Sequence, residues 1–600
     1  MWLSRIAGAA ALAAAASAAP GAARADDSAA ASWVYFPGMN AVDGCGEVCV
    51  SSDPRFKCLG TVPSLAQCES LCAADAACAI MTWSSSTNNC WTRPDGVWQL
   101  TDGATGITAG CDASRVPGCA PPPPYTNLNV SVGVGLAVGV PLHALAPAVA
   151  LDFWLPTDPT YGEKWANAGV LGIDLTSAAL RTYAAALAPA LLRLGGSPED
   201  SIVFDAAGTC TPGGGGQPPG PYYCSQVRPY VYGCLSPARW EAVLAFASDV
   251  GFKIAFGLNG CFGRTSADTP MDMSNARAIM EATASSPHAA ALAYFELSNE
   301  VVPQTISAAQ WVADAAVLKN MSEAIFGARG LAAPPLVGPD QGGAAVEEVV
   351  AALAGRVGAL AAITYHQYPQ CTAPDAGAAF VMLPSCLSQL GRAAAGYANS
   401  SQTIAGLATW LGEGADHSGG GIPGLTDTFR SSFYYATLIG AAPASGVELM
   451  ARQCLNGGDY ELLQRGSFAP NPDFWVIWLA KKVLRQGARA LNATSSAPAL
   501  DSGLQVFAFD ASAASGGATA LLAINAHASN TYYLTLGGAN LEGPRVEWHV
   551  SGDVAAVHGP VAINGRVMGG DLPPVAELGA RAAAGSVLVV APASIVFVAV

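Results

Sequence analysis

A chain of 600 residues with 51% hydrophobic and 12% charged side chains has the length and apolar content for several cores. That composition excludes wholesale disorder, which needs low hydropathy and high charge. A formal net charge of −16, with no basic run longer than Lys481-Lys482, excludes a nucleic-acid partner gripped by clustered cations and weighs against any polyanionic ligand.

In chain order, residues 1–25 read as a secretory signal peptide. Arg5 precedes an apolar stretch from Ile6 to Ala19, and Ala23-Arg24-Ala25 offers an A-x-A cleavage site. The stretch is shorter than the roughly 20 residues that span a bilayer. A mature chain beginning near Asp26 is therefore expected, with a secreted, extracellular, cell-wall, lysosomal or vacuolar destination. The 16 cysteines suit an oxidising compartment, and nine of them crowd between Cys45 and Cys119. Sequons at Asn129, Asn320, Asn399 and Asn492 agree with glycosylated surface loops.

Residues 45–119 form a cysteine-rich module too small for a large core, so disulfides are expected to restrict its unfolded state. Pro121–Pro124, within a linker over 120–125, is a stiff boundary. Inside the module Cys68 and Cys72 lie one helical turn apart, followed by a strand over Ile80–Trp83 and by Cys90-Trp91. The run AQCESLCAADAACAIMTWSSSTNNCWTR resembles PAN/apple modules, which implies a helix stapled onto a small sheet and a carbohydrate or protein ligand. A stapled spacer without ligand is the alternative.

From about 126 to 485, strand-like runs ending in polar residues alternate with Ala-rich helical segments: PALLRLGGS, PARWEAVLAFASDVG, KIAFGLNG, LAYFELSNE, AAITYHQYP, TIAGLATWLGEG. That alternation predicts an α/β fold, a (β/α)8 TIM barrel of typical size. Residues 486–600 carry short β-branched runs broken by Gly, Asn, Ser or Pro, the pattern of a β-sandwich. A removed lipid-anchor tail is the alternative reading of the apolar C-terminus, but its β-branched residues and Pro592 favour paired strands.

Catalytic groups of such barrels stand where strands end. Arg193 with Gly195-Gly196-Ser197, Asn259, Asn299-Glu300, Asp340, His366 with Tyr368, and Glu413 end successive runs. Two glutamates there suit glycoside hydrolysis, one protonating the leaving oxygen and one attacking the anomeric carbon. Asn299 suits a sugar 2-hydroxyl, and His366 and Tyr368 suit hydrogen bonds that keep a nucleophile ionised. Each also has a plainer reading: Asn299 as a helix cap, Tyr365, His366 and Tyr368 as packed rings, Arg193 in a buried ion pair. With no H-E-x-x-H motif or His cluster, neither metal nor cofactor is expected.

The ordered motifs LLRLGGSPEDSIVFD, GCLSPARWEAVLAFASDVGFKIAFGLNGCFGR, FELSNE, ITYHQYP, WLGEGADHSGGG, MARQCLNGGDYELL and PNPDFWVIWLAKKVL resemble those of the heparanase-like endo-β-glucuronidases, glycoside hydrolase family 79, from about residue 126 to 600. The resemblance implies a retaining mechanism with Glu300 as acid/base, Glu413 as nucleophile, and carboxyls about 5–5.5 Å apart. It implies substrate contacts from Asp152, Asn299, His366 and Tyr368. It also implies that Gly419, Gly420 and Tyr460 hold a glucuronate carboxylate. The expected partner is a glycan or glycoconjugate containing glucuronic acid. An exo-acting β-glycosidase for a neutral sugar and a non-catalytic carbohydrate-binding protein are the rivals. Two departures stand out: a tyrosine that relatives place beside the glycine pair is missing from GADHSGG, and Ser298 replaces a common glycine. The Cys210–Cys234 loop is expected to be disulfide-stapled.

Overall fold

The structure is a computed structural model. It describes residues 128–600 apart from 211–223, 225–229, 354–356, 371–378, 403–405, 498, 511–518, 538–540 and 542, together with strand segments and two helical turns between residues 33 and 112. The signal segment 1–25 and the linker 120–125 lie outside the described residues. The chain divides into two compact units, residues 1–123 with 374–378 and the remainder.

In the first unit the strand Ile80–Ser84 sits at the centre of a five-stranded antiparallel sheet, between Asn89–Arg93 and Ile107–Asp112, with Trp33–Pro37 and Lys57–Thr61 at the edges. Cys68 and Cys72 are both helical, and a Cys68–Cys90 disulfide ties that helical segment to the sheet.

In the second unit eight parallel strands close into a barrel. They are β1 (Ala148–Asp152), β2 (Ala190–Gly195), β3 (Phe252–Leu258), β4 (Leu292–Leu297), β5 (Leu336–Gln341), β6 (Ala362–Gln367), β7 (Ala408–Gly414) and β8 (Leu449–Arg452). After each strand comes a helix: α1 (Ala178–Leu187), α2 (Pro237–Val250), α3 (Ser274–Ser285), α4 (Ala308–Gly327), α5 (Ala344–Ala352), α6 (Pro384–Ser400), α7 (Ser431–Ala444) and α8 (Pro472–Val483).

The local reasons are visible in α2. Ser236 caps it by accepting from the Arg239 N–H, Pro237 occupies the first turn, and Gly251 stops it at φ +79°. Its inner face buries Trp240, Leu244 and Ala247, and full burial of each large apolar side chain contributes ~1.5–3 kcal/mol. Disulfides Cys210–Cys234 and Cys224–Cys261 staple the long loop between β2 and α2, as the sequence predicts for the first of them. Among the described residues no helix is long and apolar enough to cross a membrane.

The boundary expected at residue 126 needs correction. Leu128–Pro141 is not a barrel strand but a member of the C-terminal sheet, paired antiparallel to Arg489–Ser495 and parallel to Tyr532–Gly537. Its alternating NVSV pattern explains the placement. Val130 and Val132 point into an apolar layer with Leu534, Leu588, Val596 and Val598, so the 11-stranded sheet folds over on itself as a sandwich. The opposite face, with Phe509, Leu522 and Phe597, joins the core that surrounds the barrel. All four sequon asparagines are exposed, but they sit on strands and helices rather than on loops.

Val132 is 1% and Leu136 87% exposed in the same strand. Val132→Asp, which buries a carboxylate between the layers, should destabilise the protein by more than ~3 kcal/mol, whereas Leu136→Asp should stay within ~0.5 kcal/mol. Chemical denaturation of the two variants would check this; equal effects would refute the assigned face.

Candidate active site

Along each barrel strand alternate side chains point inward. Toward the N-terminal end these are apolar, including Leu191, Ala255, Val337, Ala362 and Trp410. One inward position further along, β2 presents Arg193 and β4, beyond Tyr294, presents Glu296; β6 ends at His366. A polar layer therefore lies on an apolar floor.

Arg193, 1% exposed, is the hub. Its Nε and Nη2 donate to both oxygens of Glu296 at 3.1 and 3.0 Å, Nη1 donates to Glu413 Oε2 at 2.6 Å, and Nη2 also reaches Asn299 Oδ1 at 2.7 Å and Asp340 Oδ2 at 2.6 Å. One guanidinium thus joins strands β2, β4, β5 and β7. Space for it is reserved by small residues. A Cβ on Gly195 would come within 2.6 Å of the guanidinium carbon, and one on Gly412 within 2.0 Å of Asp340 Oδ1.

Glu413 accepts from Arg193 on one oxygen and from the Tyr368 hydroxyl on the other. The β6–β7 pairing shifts register at His366 and Glu413, and the extra residue re-aims the Glu413 side chain. Glu300 stands three residues past β4 at φ +52°, its N–H bonded to the Asp340 carbonyl at 2.9 Å. Ser298 and Asp340 are also left-handed, at φ +57° and +47°. Such strain gathers at sites that the surrounding structure over-determines. It also explains the departure at residue 298, because φ +57° is where glycine is at ease; the Ser298 hydroxyl is held by the Leu297 carbonyl and Trp311.

His366 links the two glutamates' surroundings. Its Nδ1 lies 2.9 Å from Glu300 Oε1 and its Nε2 3.5 Å from Asp340 Oδ1. Burial alone would lower its pKa, but Glu413, Asp340 and Glu300 raise it to about 10, so the ring is an imidazolium at neutral pH. Burial likewise opposes ionisation of Asp340, yet Arg193 and His366 hold its pKa below the ordinary value. The Glu300 side chain is 32% exposed and that of Glu413 10%, so the first meets solvent and the second is enclosed.

Asp152, at the end of β1, accepts from Trp154 Nε1 at 3.0 Å and from Gln453 Nε2 at 2.8 Å on both oxygens. Burial, reinforced by Glu413, raises its pKa. Ser197 starts a short helical turn, Ser197–Ser201, which carries Asp200 and Glu199 under the site. Asp200 accepts the Asn299 and Gly260 N–H groups at 2.9 Å each. Burial, with Asp200 beside it, raises the Glu199 pKa well above the ordinary range.

Asn259, expected at the substrate, is instead a brace. Its amide donates to the Ile202 carbonyl and accepts from the Cys261 N–H, at 2.9 Å each, so both ends are taken by backbone. Gly419 and Gly420 form a left-handed run with Gly421, at φ +68°, +79° and +79°. The Asp459 N–H donates to the Gly420 carbonyl at 2.7 Å, bringing this turn against the loop that holds Tyr460. Tyr460 is 3% exposed and packs edge-on against Trp165.

The structure brings Glu300, Glu413, Asn299, Arg193, His366 and Tyr368 into one bonded network, with Asp152 within its electrostatic reach. Sequence reasoning missed Glu296, Glu199, Asp200 and Gln453, and placed Asp340 at a strand end without a role. Glu296 had a signal: it follows Tyr294 by two residues and so shares its inward parity. Gln453 had none, since only closure of β8 onto β1 brings it to Asp152. Among the described residues no group of three His, Cys, Asp or Glu side chains is arranged to hold a metal ion.

The closed parallel barrel ringed by helices is an architecture shared with solved glycoside hydrolases. The fold resembles a 4-O-α-L-rhamnosyl-β-D-glucuronidase from Fusarium oxysporum, with TM-score 0.53 and 14% identity over 78% of this chain and 100% of that one. It also resembles an α-L-arabinofuranosidase from Thermotoga maritima, with TM-score 0.53 and 10% identity over 79% and 99%. Residues 146–440 match the family model "Glycosyl hydrolase family 79, N-terminal domain".

Heparanase-like protein 2 of Arabidopsis thaliana is 29% identical over 58% of this chain, baicalin-beta-D-glucuronidase of Scutellaria baicalensis 25% over 56%, and heparanase of Bos taurus 26% over 60%. The chain spans 65% of the Arabidopsis protein, 68% of the Scutellaria protein and 70% of the bovine one. Over its barrel, this chain is therefore similar to the heparanase-like members of glycosyl hydrolase family 79.

Arg193→Met leaves Glu296, Asp340 and Glu413 buried without their counter-charge and should cost ~3–5 kcal/mol of stability; denaturant titration would check it. Outside this network, burial raises Asp416 and Glu461 to about 7 each, from 3.8 and 4.5. Because the folded values lie above the unfolded ones, their contribution is fully present below about pH 4 and is lost as pH rises through about 7. Tm should therefore fall between pH 5 and pH 8, with a shallower fall in Asp416→Asn; an unchanged slope in that variant would refute the assignment.

Proposed function

We propose that this protein is a secreted retaining glycoside hydrolase that cleaves β-linked glucuronic acid from glycans or glycoconjugates. The observation that carries the reading is the unequal treatment of the two glutamates. Glu413 is enclosed, with both oxygens bonded to Arg193 and Tyr368, whereas Glu300 is partly open and bonded to His366.

Unequal surroundings of this kind let two carboxyls take different roles, one as acid and one as nucleophile. In the first step the Glu413 carboxylate attacks the anomeric carbon while Glu300 gives its proton to the leaving oxygen. In the second, Glu300 takes a proton from water, which displaces Glu413. Arg193 and Tyr368 hold one oxygen each of the nucleophile and so aim it. Asn299, its Oδ1 held by Arg193, turns its NH2 end toward a 2-hydroxyl acceptor, and Asp152 beside Trp154 accepts from other hydroxyls. Preference for glucuronate rests on the N–H groups of Gly419 and Gly420 with the Tyr460 hydroxyl, and is supported by the β-glucuronidase named among the relatives.

The acidic chain, with Lys164 and Arg465 near the site already paired to Asp459, speaks against a sulfated polymer as substrate. The destination that goes with this reading is the cell wall, a vacuole or a lysosome.

Hydrolysis of 4-nitrophenyl β-glucuronide near pH 5 should fall by ~10³-fold or more in Glu413→Ala and by ~10²–10⁴-fold in Glu300→Ala. Azide should rescue Glu300→Ala and yield the β-glucuronyl azide, the product of attack on a glycosyl-enzyme. An α-azide, or wild-type preference for the β-glucoside or β-xyloside, would overturn the reading.

A further inference from the structure

We propose that Lys164 is the positioning residue that sets the preference for a carboxylated sugar, by locking the Gly419–Gly421 turn against the loop that carries Tyr460. The proposal rests on the glucuronate reading above and deepens it.

Lys164 lies in the short helical turn Gly162–Trp165 beyond β1. Its ammonium carries three donors, and three acceptors surround it: the Gly421 carbonyl at 2.9 Å, the Gly419 carbonyl at 3.3 Å and Asp459 Oδ2 at 2.9 Å. With its donors engaged, the ammonium serves the loops rather than the substrate. In a planar trans peptide the C=O and the following N–H point in opposite directions. Drawing the Gly419 carbonyl onto Lys164 therefore turns the Gly420 N–H away from the lysine. Neither the Gly419 nor the Gly420 N–H has a protein partner among the described residues, and consecutive left-handed glycines are the backbone form that cradles an anion. A Cβ on Gly420 would meet Lys164 Cδ at 2.7 Å and the Trp165 ring at 3.0 Å, so the turn is shaped to lie on this lysine.

The same residue reaches the second element. The Lys164 carbonyl accepts the Gly458 N–H at 2.8 Å and the Arg465 guanidinium, which also pairs with Asp459 at 3.5 Å. Asp459 directly precedes Tyr460, and its N–H holds the Gly420 carbonyl at 2.7 Å. Lys164 and Asp459 thus form one strap between the turn that offers N–H groups and the loop that offers a hydroxyl.

The test compares kcat/KM for 4-nitrophenyl β-glucuronide and β-glucoside in wild type, Lys164→Met, Lys164→Arg and Asp459→Asn, each checked for native thermal unfolding. Lys164→Met should lower the glucuronide-to-glucoside ratio about tenfold, mainly through KM for the glucuronide, as expected when charge-assisted hydrogen bonds lose their alignment. Lys164→Arg should recover part of the ratio. Asp459→Asn, which keeps the lysine and removes its charged partner, should lower the ratio severalfold even if Lys164→Met fails to fold. An unchanged ratio in a folded variant, or parallel loss on both substrates through kcat, would overturn the role of Lys164 while leaving the glucuronidase reading intact. A wild type that prefers the glucoside would overturn both.

Discussion

Everything at the centre of this barrel is arranged around one buried guanidinium. Arg193 sits where four strands converge and binds Glu296, Asp340, Glu413 and Asn299. A buried charge is tolerated only when it is paired and hydrogen-bonded, and here the requirement is mutual. Three carboxylates need the cation as much as it needs them, so their strands cannot move independently. His366 adds a second positive charge between Asp340 and Glu300, and an acidic chain thereby balances an acidic centre locally.

That balance demands room, and the room comes from residues with small or missing side chains. Gly195 and Gly412 leave volume for Arg193 and Asp340. The LRLGG and WLGEG motifs are thus space around a charge network as much as turn signals. The backbone contributes in the same way: the left-handed residues Ser298, Glu300 and Asp340 and the register shift at Glu413 depart from regular strand geometry where side chains must be aimed.

The C-terminal sheet supports the barrel on one side with Phe509, Leu522 and Phe597. The strand Leu128–Pro141 passes through that sheet before the chain enters β1. Assembly of the sandwich therefore needs both ends of the catalytic unit, and a boundary drawn from strand–helix alternation alone cuts through it.

Much of this was legible in the amino-acid order. Apolar runs ending in polar residues marked the barrel strands, Ser236-Pro237 and Gly251 bracketed a helix, and Glu300 and Glu413 stood out as glutamates at strand ends. These features are local, governed by periodicity, capping and turn chemistry within a few residues, so the sequence by itself determined the elements, their order and the position of the two glutamates after β4 and on β7. Tertiary structure alone decided the partnerships. Asn259 became a brace because backbone groups reached both ends of its amide first, Gln453 met Asp152 only when β8 closed onto β1, and Leu128–Pro141 joined strands some 350 residues away. Glu413 acquired Arg193 across 220 residues of chain. Such pairings depend on barrel closure, register and burial, which are properties of the packed whole and have no imprint at the spacing of neighbouring residues.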